Sequence, residues 1–210
     1  IEVSLVLVPE SVQQRLAEEI VRLKGRGLTV CTVKRGELAL ALADHLDSGL
    51  LSVGYPYLIA VEIFSKHPFA INVHPTLLPK YRGPTSGAYV IRNNEPFTGS
   101  SVHLLSATAD SGDMVAQSRV ELSRFDTVRS MQIKVYDTEP KLILEAMRVL
   151  DSGKELLKQD TDETTAFLAR RTPGDSEIDP TMTLISLFDE IRSCDPENYP
   201  AFFYVDGEKI

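Results

Sequence analysis

The sequence predicts an α/β fold, with a doubly wound, mostly parallel sheet followed by the start of a small C-terminal α+β domain. Short apolar and β-branched runs alternate with stretches of helical periodicity over the first half of the chain. Two further strand-like runs flank an acidic turn at 108–113, which indicates an antiparallel pair. A short amphipathic stretch after residue 179 precedes a last β-element, and this order indicates the additional small domain.

Composition limits the function classes that the chain can serve. It has 210 residues, 43% of them hydrophobic, and a formal net charge of −8. This balance supports one sizeable core and disfavours a large nucleic-acid interface, which needs a basic face. No apolar run has the length of a membrane span, and no signal peptide is recognised. Cys31 and Cys194 lie far apart without metal-type spacing, so we expect reduced thiols in a cytoplasmic protein.

The first half of the chain alternates strands with helices up to a short buried strand. Each strand is predicted from a β-branched apolar run, and each helix from apolar residues at helical spacing. The predicted strands are 1–8, 28–33, 47–53 and 70–73, and the helices between them cover 12–23, 37–46 and the residues around 62–66.

The second half continues with a helix at 85–94, strands at 99–106 and 114–122, and a long helix from Asp126-Thr127 to about 152. We expect an interruption of that helix near Pro140, because proline removes a backbone donor. Residues 1–153 would form the main domain, 154–178 a linker and 179–210 the start of a second domain. The chain opens inside a strand without Met and stops after an Asp206-Gly207 turn, so we expect a trimmed protein lacking a first strand and helix.

One stretch concentrates polar chemistry at a strand end. Asn72 and His74 alternate on the predicted strand and therefore project from one face. Pro75 ends the strand, and an irregular loop through Lys80 and Arg82 follows. Carboxyl ends of strands are where ligands bind in open α/β sheets, so the pair is either a functional site or a satisfied polar turn.

The remaining candidates are weaker. His45 and His67 are expected at the surface or in turns, and His103 is expected to point away from its apolar strand neighbours. Asp110 would either orient His74 as a carboxylate or merely cap its own turn. A metal site would require His74, His103 and Asp110 to converge, and no His spacing supports one.

The motif Ile71-Asn-Val-His-Pro-Thr-Leu-Leu-Pro-Lys-Tyr-Arg-Gly83, followed by Ala109-Asp-Ser-Gly-Asp-Met114, resembles the folate-dependent formyltransferases. This family includes glycinamide ribonucleotide, methionyl-tRNA and nucleotide-sugar N-formyltransferases. The resemblance covers most of the chain and implies a Rossmann-like formyltransferase fold. It departs from the family at Pro75-Thr76 and at Pro84-Thr-Ser-Gly87, which could reflect a different acceptor.

The resemblance implies formyl transfer from 10-formyltetrahydrofolate to a primary amine, with Asn72, His74 and Asp110 as the catalytic trio. Asn72 and a protonated His74 would donate hydrogen bonds to the oxyanion. Asp110 would favour the imidazolium and accept the amine proton. The implied folate-binding residues are Gly54, Tyr55, Tyr57, Leu58, Ile59 and Ala107.

The acceptor is left open between two amines. The tail from Arg170 resembles that of sugar formyltransferases, which favours a nucleotide-linked amino sugar over methionyl-tRNA. Lys80, Arg82 and Arg92, with Gly83 beside them, either meet an acceptor phosphate or are solvated. A non-catalytic folate- or nucleotide-binding module is the alternative from another class, and the sequence also leaves a homodimer open.

Overall fold

The computed structural model describes residues 2–160 and 168–210, and the chain divides into two units. The first unit comprises Ile1–Leu50 and Tyr55–Ala70, and the second comprises Leu51–Gly54 and Ile71–Ile210. The first unit contains β1 Val6–Pro9, α1 Ala17–Gly25, β2 Val30–Val33, α2 Leu38–Ala41 and α3 Val61–Phe64.

Strands β1 and β2 pair in parallel, with Val6 opposite Val30. Val8, Val30 and Leu38 are among the buried apolar residues of this unit. The helix predicted at 37–46 is broken into α2 and flanking 3-10 turns, so this prediction was wrong in its length. A run of alternating Ala and Leu favours helix locally but does not fix where it stops.

The second unit holds the polar strand end. Its elements are β3 Leu50–Val53, β4 Ala70–His74, α4 Ser86–Arg92, β5 Phe97–Leu104, β6 Met114–Glu121, α5 Val128–Asp151, α6 Leu184–Arg192, β7 Tyr204–Val205 and β8 Glu208–Lys209. β3 to β6 form a four-stranded sheet in that order. The β4–β5 and β5–β6 pairs are antiparallel, and the second confirms the pairing predicted around the acidic turn.

The register between β4 and β5 decides which polar residues meet. Asn72 lies opposite His103, and His74 lies opposite Ser101. A register shift between Val102 and His103 then places His103 opposite Met114 of β6. Residues directly opposite each other in a sheet share a face, so Asn72, His74 and His103 project from the same side.

Helix α5 runs through Pro140 without a break in its assigned span. The predicted interruption at this proline was therefore wrong. Pro140 is exposed, whereas Val135 and Leu142 are buried, so the ring lies away from the packed face of the helix. Thr127 begins α5 by accepting a hydrogen bond from Ser130 N, which confirms the predicted cap.

A buried apolar cluster joins the loop after β4 to two helices. It consists of Tyr81, then Ala88, Val90 and Ile91 of α4, and Val128, Met131 and Val135 of α5. Tyr81 belongs to the polar motif, so the loop that follows His74 is packed into the core of its unit. The position of the motif is therefore set by the same contacts that stabilise the fold.

Gly99 of β5 illustrates how closely the sheet is packed. A Cβ at this position would overlap the carbonyl oxygen of Ser118 on the neighbouring strand, whereas a Cβ at Gly36 meets no atom within 4 Å.

We expect Gly99→Ala to lower the free energy of unfolding by at least about 2 kcal/mol, because backbone cannot move aside as a side chain can. Urea unfolding followed by circular dichroism measures this, with Gly36→Ala as the control. A Gly99→Ala protein as stable as the control would contradict the close packing.

The α/β fold class is confirmed, with a mixed sheet and a small additional sheet near the C-terminus. The hairpin predicted at Asp206-Gly207 is present between β7 and β8, and both turn residues have positive φ. The domain boundaries at 153 and 178 remain predictions, and residues 161–167 of the predicted linker lie outside the described residues. None of the helices in the described ranges combines the length and apolarity that crossing a membrane requires.

Candidate active site

His74 ends β4 and is 6% exposed. Its Nε2 lies 2.9 Å from the carbonyl oxygen of Tyr81 and 3.4 Å from Ser86 Oγ. A carbonyl oxygen only accepts, so Nε2 carries the hydrogen and donates it to Tyr81. The other ring nitrogen, Nδ1, lies 3.7 Å from Asp110 Oδ2.

Asn72 and His103 meet across the β4–β5 pair. Asn72 Nδ2 lies 3.3 Å from His103 Nε2, and His103 Nδ1 donates to the carbonyl oxygen of Leu104 at 2.8 Å. His103 is 1% exposed. With its hydrogen on Nδ1, the ring offers Nε2 as an acceptor to Asn72, which fixes the orientation of the amide.

Asp110 brings its carboxylate between the two imidazoles. Oδ1 lies 3.6 Å from His103 Nε2, and Oδ2 accepts a hydrogen bond from Gly83 N at 2.9 Å. Burial raises the pKa of Asp110, but the contacts with His103, His74 and Gly83 outweigh it and lower the pKa to about 2. The carboxylate is therefore ionised at neutral pH.

His74 does not follow the expected protonation. We expected Asp110 to keep the imidazole charged, and its carboxylate does favour the charged form. Burial has the larger effect, however, and the pKa of His74 is lowered from its ordinary value of 6.5. At neutral pH His74 is therefore a neutral ring whose Nδ1 faces a carboxylate.

These four side chains offer complementary chemistry. The Asn72 amide has two N–H groups, and only one is needed for His103. The second can donate to an oxygen atom on which negative charge develops. His74 Nδ1 can take up a proton, and Asp110 would stabilise the resulting charge. The arrangement suits the attack of an amine on a carbonyl carbon.

The basic residues predicted to bind the acceptor differ in their exposure and in their contacts. Lys80 is exposed, and Arg82 is half-buried with no hydrogen-bond partner for Nε among the described residues. Gly83 is buried and touches Asp110 through its N–H. Arg92 pairs with Glu190 at 2.5 Å, so its charge is already compensated. Lys80 and Arg82 remain candidates for an acceptor anion.

Most of the residues predicted to bind folate follow β3 and lie in the first unit. The rings of Tyr55 and Tyr57 meet edge to face at 5.6 Å, and the Arg35 guanidinium lies 5.0 Å over Tyr57. Leu58 is 80% exposed. Exposed apolar and aromatic surface of this kind suits a flat heterocycle. The predicted residues of the first unit are Tyr55, Tyr57, Leu58 and Ile59, whereas Gly54 and the exposed Ala107 belong to the second unit.

The other histidines only partly match the sequence analysis. His103 was predicted to point away from its apolar neighbours, but its strand pattern alone does not indicate that it contacts both Asn72 and Asp110. Its position opposite Asn72 was the missing signal, since that depends on the strand register. His67 lies in a bend as expected, but it is buried and its Nδ1 donates to Ser48 O at 2.8 Å.

The convergence required for a metal site does occur, since both imidazoles approach Asp110. Among the described residues, however, no group of three or more His, Cys, Asp or Glu side chains is arranged to hold a metal ion. The two carboxylate oxygens of Asp110 lie 3.6 Å and 3.7 Å from the imidazole nitrogens, and Oδ2 accepts a hydrogen bond from Gly83 N.

The lowered pKa of His74 predicts a pH dependence of stability. The unfolded chain binds a proton near its ordinary pKa of 6.5, but the folded chain does so only at lower pH. His74 therefore destabilises the folded state as pH falls below that value, by at most about 1.4 kcal/mol per pH unit. Urea unfolding at about pH 7.5 and about pH 5.5 should show a smaller loss of stability in His74→Gln than in the wild type. His45→Gln should keep the wild-type loss, and equal losses in all three proteins would contradict the prediction.

Comparison with known proteins identifies the family. The chain is 29% identical over 168 residues to methionyl-tRNA formyltransferase of Kosmotoga olearia, covering 79% of this chain and 54% of that protein. It thus spans about half the length of this curated relative.

Two crystal structures share the fold. A complex of HypX from Aquifex aeolicus with tetrahydrofolic acid has a TM-score of 0.77, with 16% identity over 98% of this chain and 36% of that one. A sugar N-formyltransferase from Shewanella sp FDAARGOS_354 has a TM-score of 0.70, with 19% identity over 99% of this chain and 95% of that one. The formyl transferase family model matches residues 27–147, which is more than half of the 210 residues. The chain belongs to the formyl transferase family.

Proposed function

We propose that the protein transfers a formyl group from 10-formyltetrahydrofolate to a primary amine. The observation that carries the proposal is the convergence of Asn72, His74 and Asp110 at one strand end in a chain of this family. A tetrahydrofolate complex among proteins of the same fold supports the choice of formyl donor. When bound, the donor supplies the activated one-carbon unit, and the residues of this chain supply binding, orientation and proton transfer.

Asn72 would stabilise the negative charge on the formyl oxygen. A new C–N bond forms between the amine and the formyl carbon, and electron density moves to the carbonyl oxygen. The free N–H of the Asn72 amide donates to this oxygen while the other N–H is held by His103. Because His103 is buried and bonded to Leu104 O, the amide keeps its orientation without reorganisation during the reaction.

His74 and Asp110 would manage the proton that the attacking amine must lose. His74 Nε2 is bonded to Tyr81 O, so Nδ1 is the ring nitrogen that accepts the proton. Asp110, ionised and 3.7 Å away, stabilises the imidazolium that results. The proton then passes to the nitrogen of the folate as its C–N bond breaks, which yields tetrahydrofolate and the N-formyl product.

For the acceptor we propose an amino sugar on a nucleotide carrier. The net charge of −8 opposes tRNA binding by this chain, since polyphosphate backbones require a basic surface. Lys80 and Arg82 provide local positive charge for a short phosphate group beside Gly83. Methionyl-tRNA is the second candidate, because the curated relative at 29% identity carries that name. A homodimer and a cytoplasmic location remain predictions. Both cysteines, Cys31 and Cys194, are free thiols.

The test is an acceptor screen read by mass spectrometry. The protein is incubated with 10-formyltetrahydrofolate and either nucleotide-linked amino sugars or methionyl-tRNA, and a formyl mass gain is sought on each acceptor. Gain on a sugar nucleotide supports the proposal, and gain on methionyl-tRNA alone selects the second candidate. Folate binding without tetrahydrofolate release from any mixture would favour the non-catalytic binding module and overturn the proposed activity.

A further inference from the structure

The side-chain amide of Gln159 contacts two backbone carbonyl groups of the turn that carries Asp110. Gln159 Nε2 lies 3.2 Å from the carbonyl oxygen of Asp110 and 2.6 Å from that of Gly112. Both neighbours are acceptors, so the amide nitrogen faces them and each of its hydrogens has a partner. Gln159 lies in the polar connector after α5, a stretch that the sequence analysis treated as a linker.

The turn has an unfavourable backbone conformation, which the contacts from Gln159 support. Asp110 has a φ of +53°, a left-handed conformation that residues other than glycine rarely adopt. Gly112 packs so closely on Leu104 that a Cβ would overlap the carbonyl oxygen of Leu104. The turn is therefore constrained beneath Gly112, and Gln159 bridges the two carbonyls on either side of Ser111.

The connector that carries Gln159 is hydrogen-bonded to the sheet. Leu157 O accepts a hydrogen bond from Met114 N at 2.7 Å, which makes an antiparallel bridge at the first residue of β6. Gln159 follows two residues later, so its side chain starts from a fixed backbone position. Its Oε1 is buried without a hydrogen-bond partner among the described residues, so the amide contributes donors and no acceptor contact there.

We propose that Gln159 is a positioning residue that aligns the Asp110 carboxylate between His74 and His103. The carboxylate must point one oxygen at each imidazole and accept from Gly83 N at the same time. Fixing the backbone carbonyls at Asp110 and Gly112 limits rotation of the peptide units that carry this side chain. A displacement of about 1 Å in such a site lowers turnover by about 100-fold. The proposal rests on the proposed function for its kinetic consequence but not for its geometry.

The test uses Gln159→Met and Gln159→Glu, with Lys158→Met as the matched control. Methionine has the shape of glutamine without its donors, and glutamate places a carboxylate against two carbonyl oxygens. Lys158 is an exposed neighbour whose side chain makes no hydrogen bond or ion pair with the part of the chain that the structure describes. We expect kcat for formyl transfer to fall about 10- to 100-fold in both Gln159 variants, with KM changed less than about threefold. Lys158→Met should retain wild-type kinetics.

A second readout does not depend on turnover. Imidazole nitrogen resonances of His74 and His103 report their contacts with Asp110, and these should shift in both Gln159 variants but not in Lys158→Met. If Gln159→Met does not fold, Gln159→Glu carries the test, because it keeps both size and polarity. Wild-type kcat together with unchanged imidazole resonances in the Gln159 variants would overturn the positioning role. If the wild type shows no formyl transfer, the proposed function fails, and the imidazole resonances alone decide the role of Gln159.

Discussion

Replacing Asp110 with asparagine is expected to lower kcat for formyl transfer by about 1000-fold or more. The carboxylate has a pKa of about 2 and contacts both imidazoles, so its charge is present throughout the neutral range. Asparagine keeps the size but removes the charge that stabilises protonated His74. If its N–H group is directed at Gly83 N, the hydrogen bond that the carboxylate accepts there is lost as well.

The control for this substitution lies in the same turn. Asp113 is half-buried, and its carboxylate makes no hydrogen bond or ion pair with the described residues, so Asp113→Asn removes the same charge three residues away. Steady-state kinetics with the acceptor found in the screen should show near wild-type kcat for the control. If Asp110→Asn also retained kcat within a factor of about three, Asp110 would have no role in proton transfer.

The second large effect is expected for Asn72→Ala, with kcat lowered by about 100- to 1000-fold. One N–H of the amide is held by His103, and the other is available to donate to a developing oxyanion. Alanine removes both hydrogen bonds and leaves Nε2 of buried His103 without its donor. KM for the folate should change little, because the lost interaction forms mainly in the transition state.

A surface asparagine, Asn198, provides the control for Asn72→Ala. Asn198 Nδ2 donates to Asp195 at 3.0 Å in an exposed loop, and Asn198→Ala should leave kcat unchanged. Tetrahydrofolate binding by calorimetry should match in the wild type and both variants. A reduced kcat accompanied by lost folate binding would place Asn72 in binding and would contradict the oxyanion role.

The sequence was sufficient to bring Asn72 and His74 to one face, because alternation along a strand is a local property. Pairing them with Asp110 required the family resemblance, since the turn lies 36 residues after His74 in the chain. The contacts around Asp110 match that expectation in geometry. The roles of all three residues in catalysis remain predictions.

Three features could not be read from the sequence, and each depends on non-local packing. His103 meets Asn72 through the β4–β5 register, which a single strand pattern does not determine. The neutral state of His74 follows from burial, which outweighs the visible charge partner. Gln159 lies in a stretch without periodicity, so its reach to the acidic turn appears only in three dimensions.

In helix α5, by contrast, a local sequence signal was visible but packing outweighed it. The sequence analysis predicts an interruption of this helix near Pro140, yet the helix continues on both sides of the proline. Packing of buried residues such as Val135 and Leu142 stabilises the helix more than one missing backbone donor disfavours it.

The orientation of His74 is decided by a main-chain atom. Tyr81 O accepts from His74, while the Tyr81 hydroxyl donates to Glu95 at 2.6 Å and accepts from Asn93 at 3.0 Å. A point substitution cannot remove a backbone carbonyl group. The hydrogen bond that orients the imidazole is therefore retained when side chains of the loop change, as long as the backbone keeps its conformation. Substitutions at Lys80 and Arg82, on either side of Tyr81, are therefore expected to leave the orientation of the His74 ring unchanged.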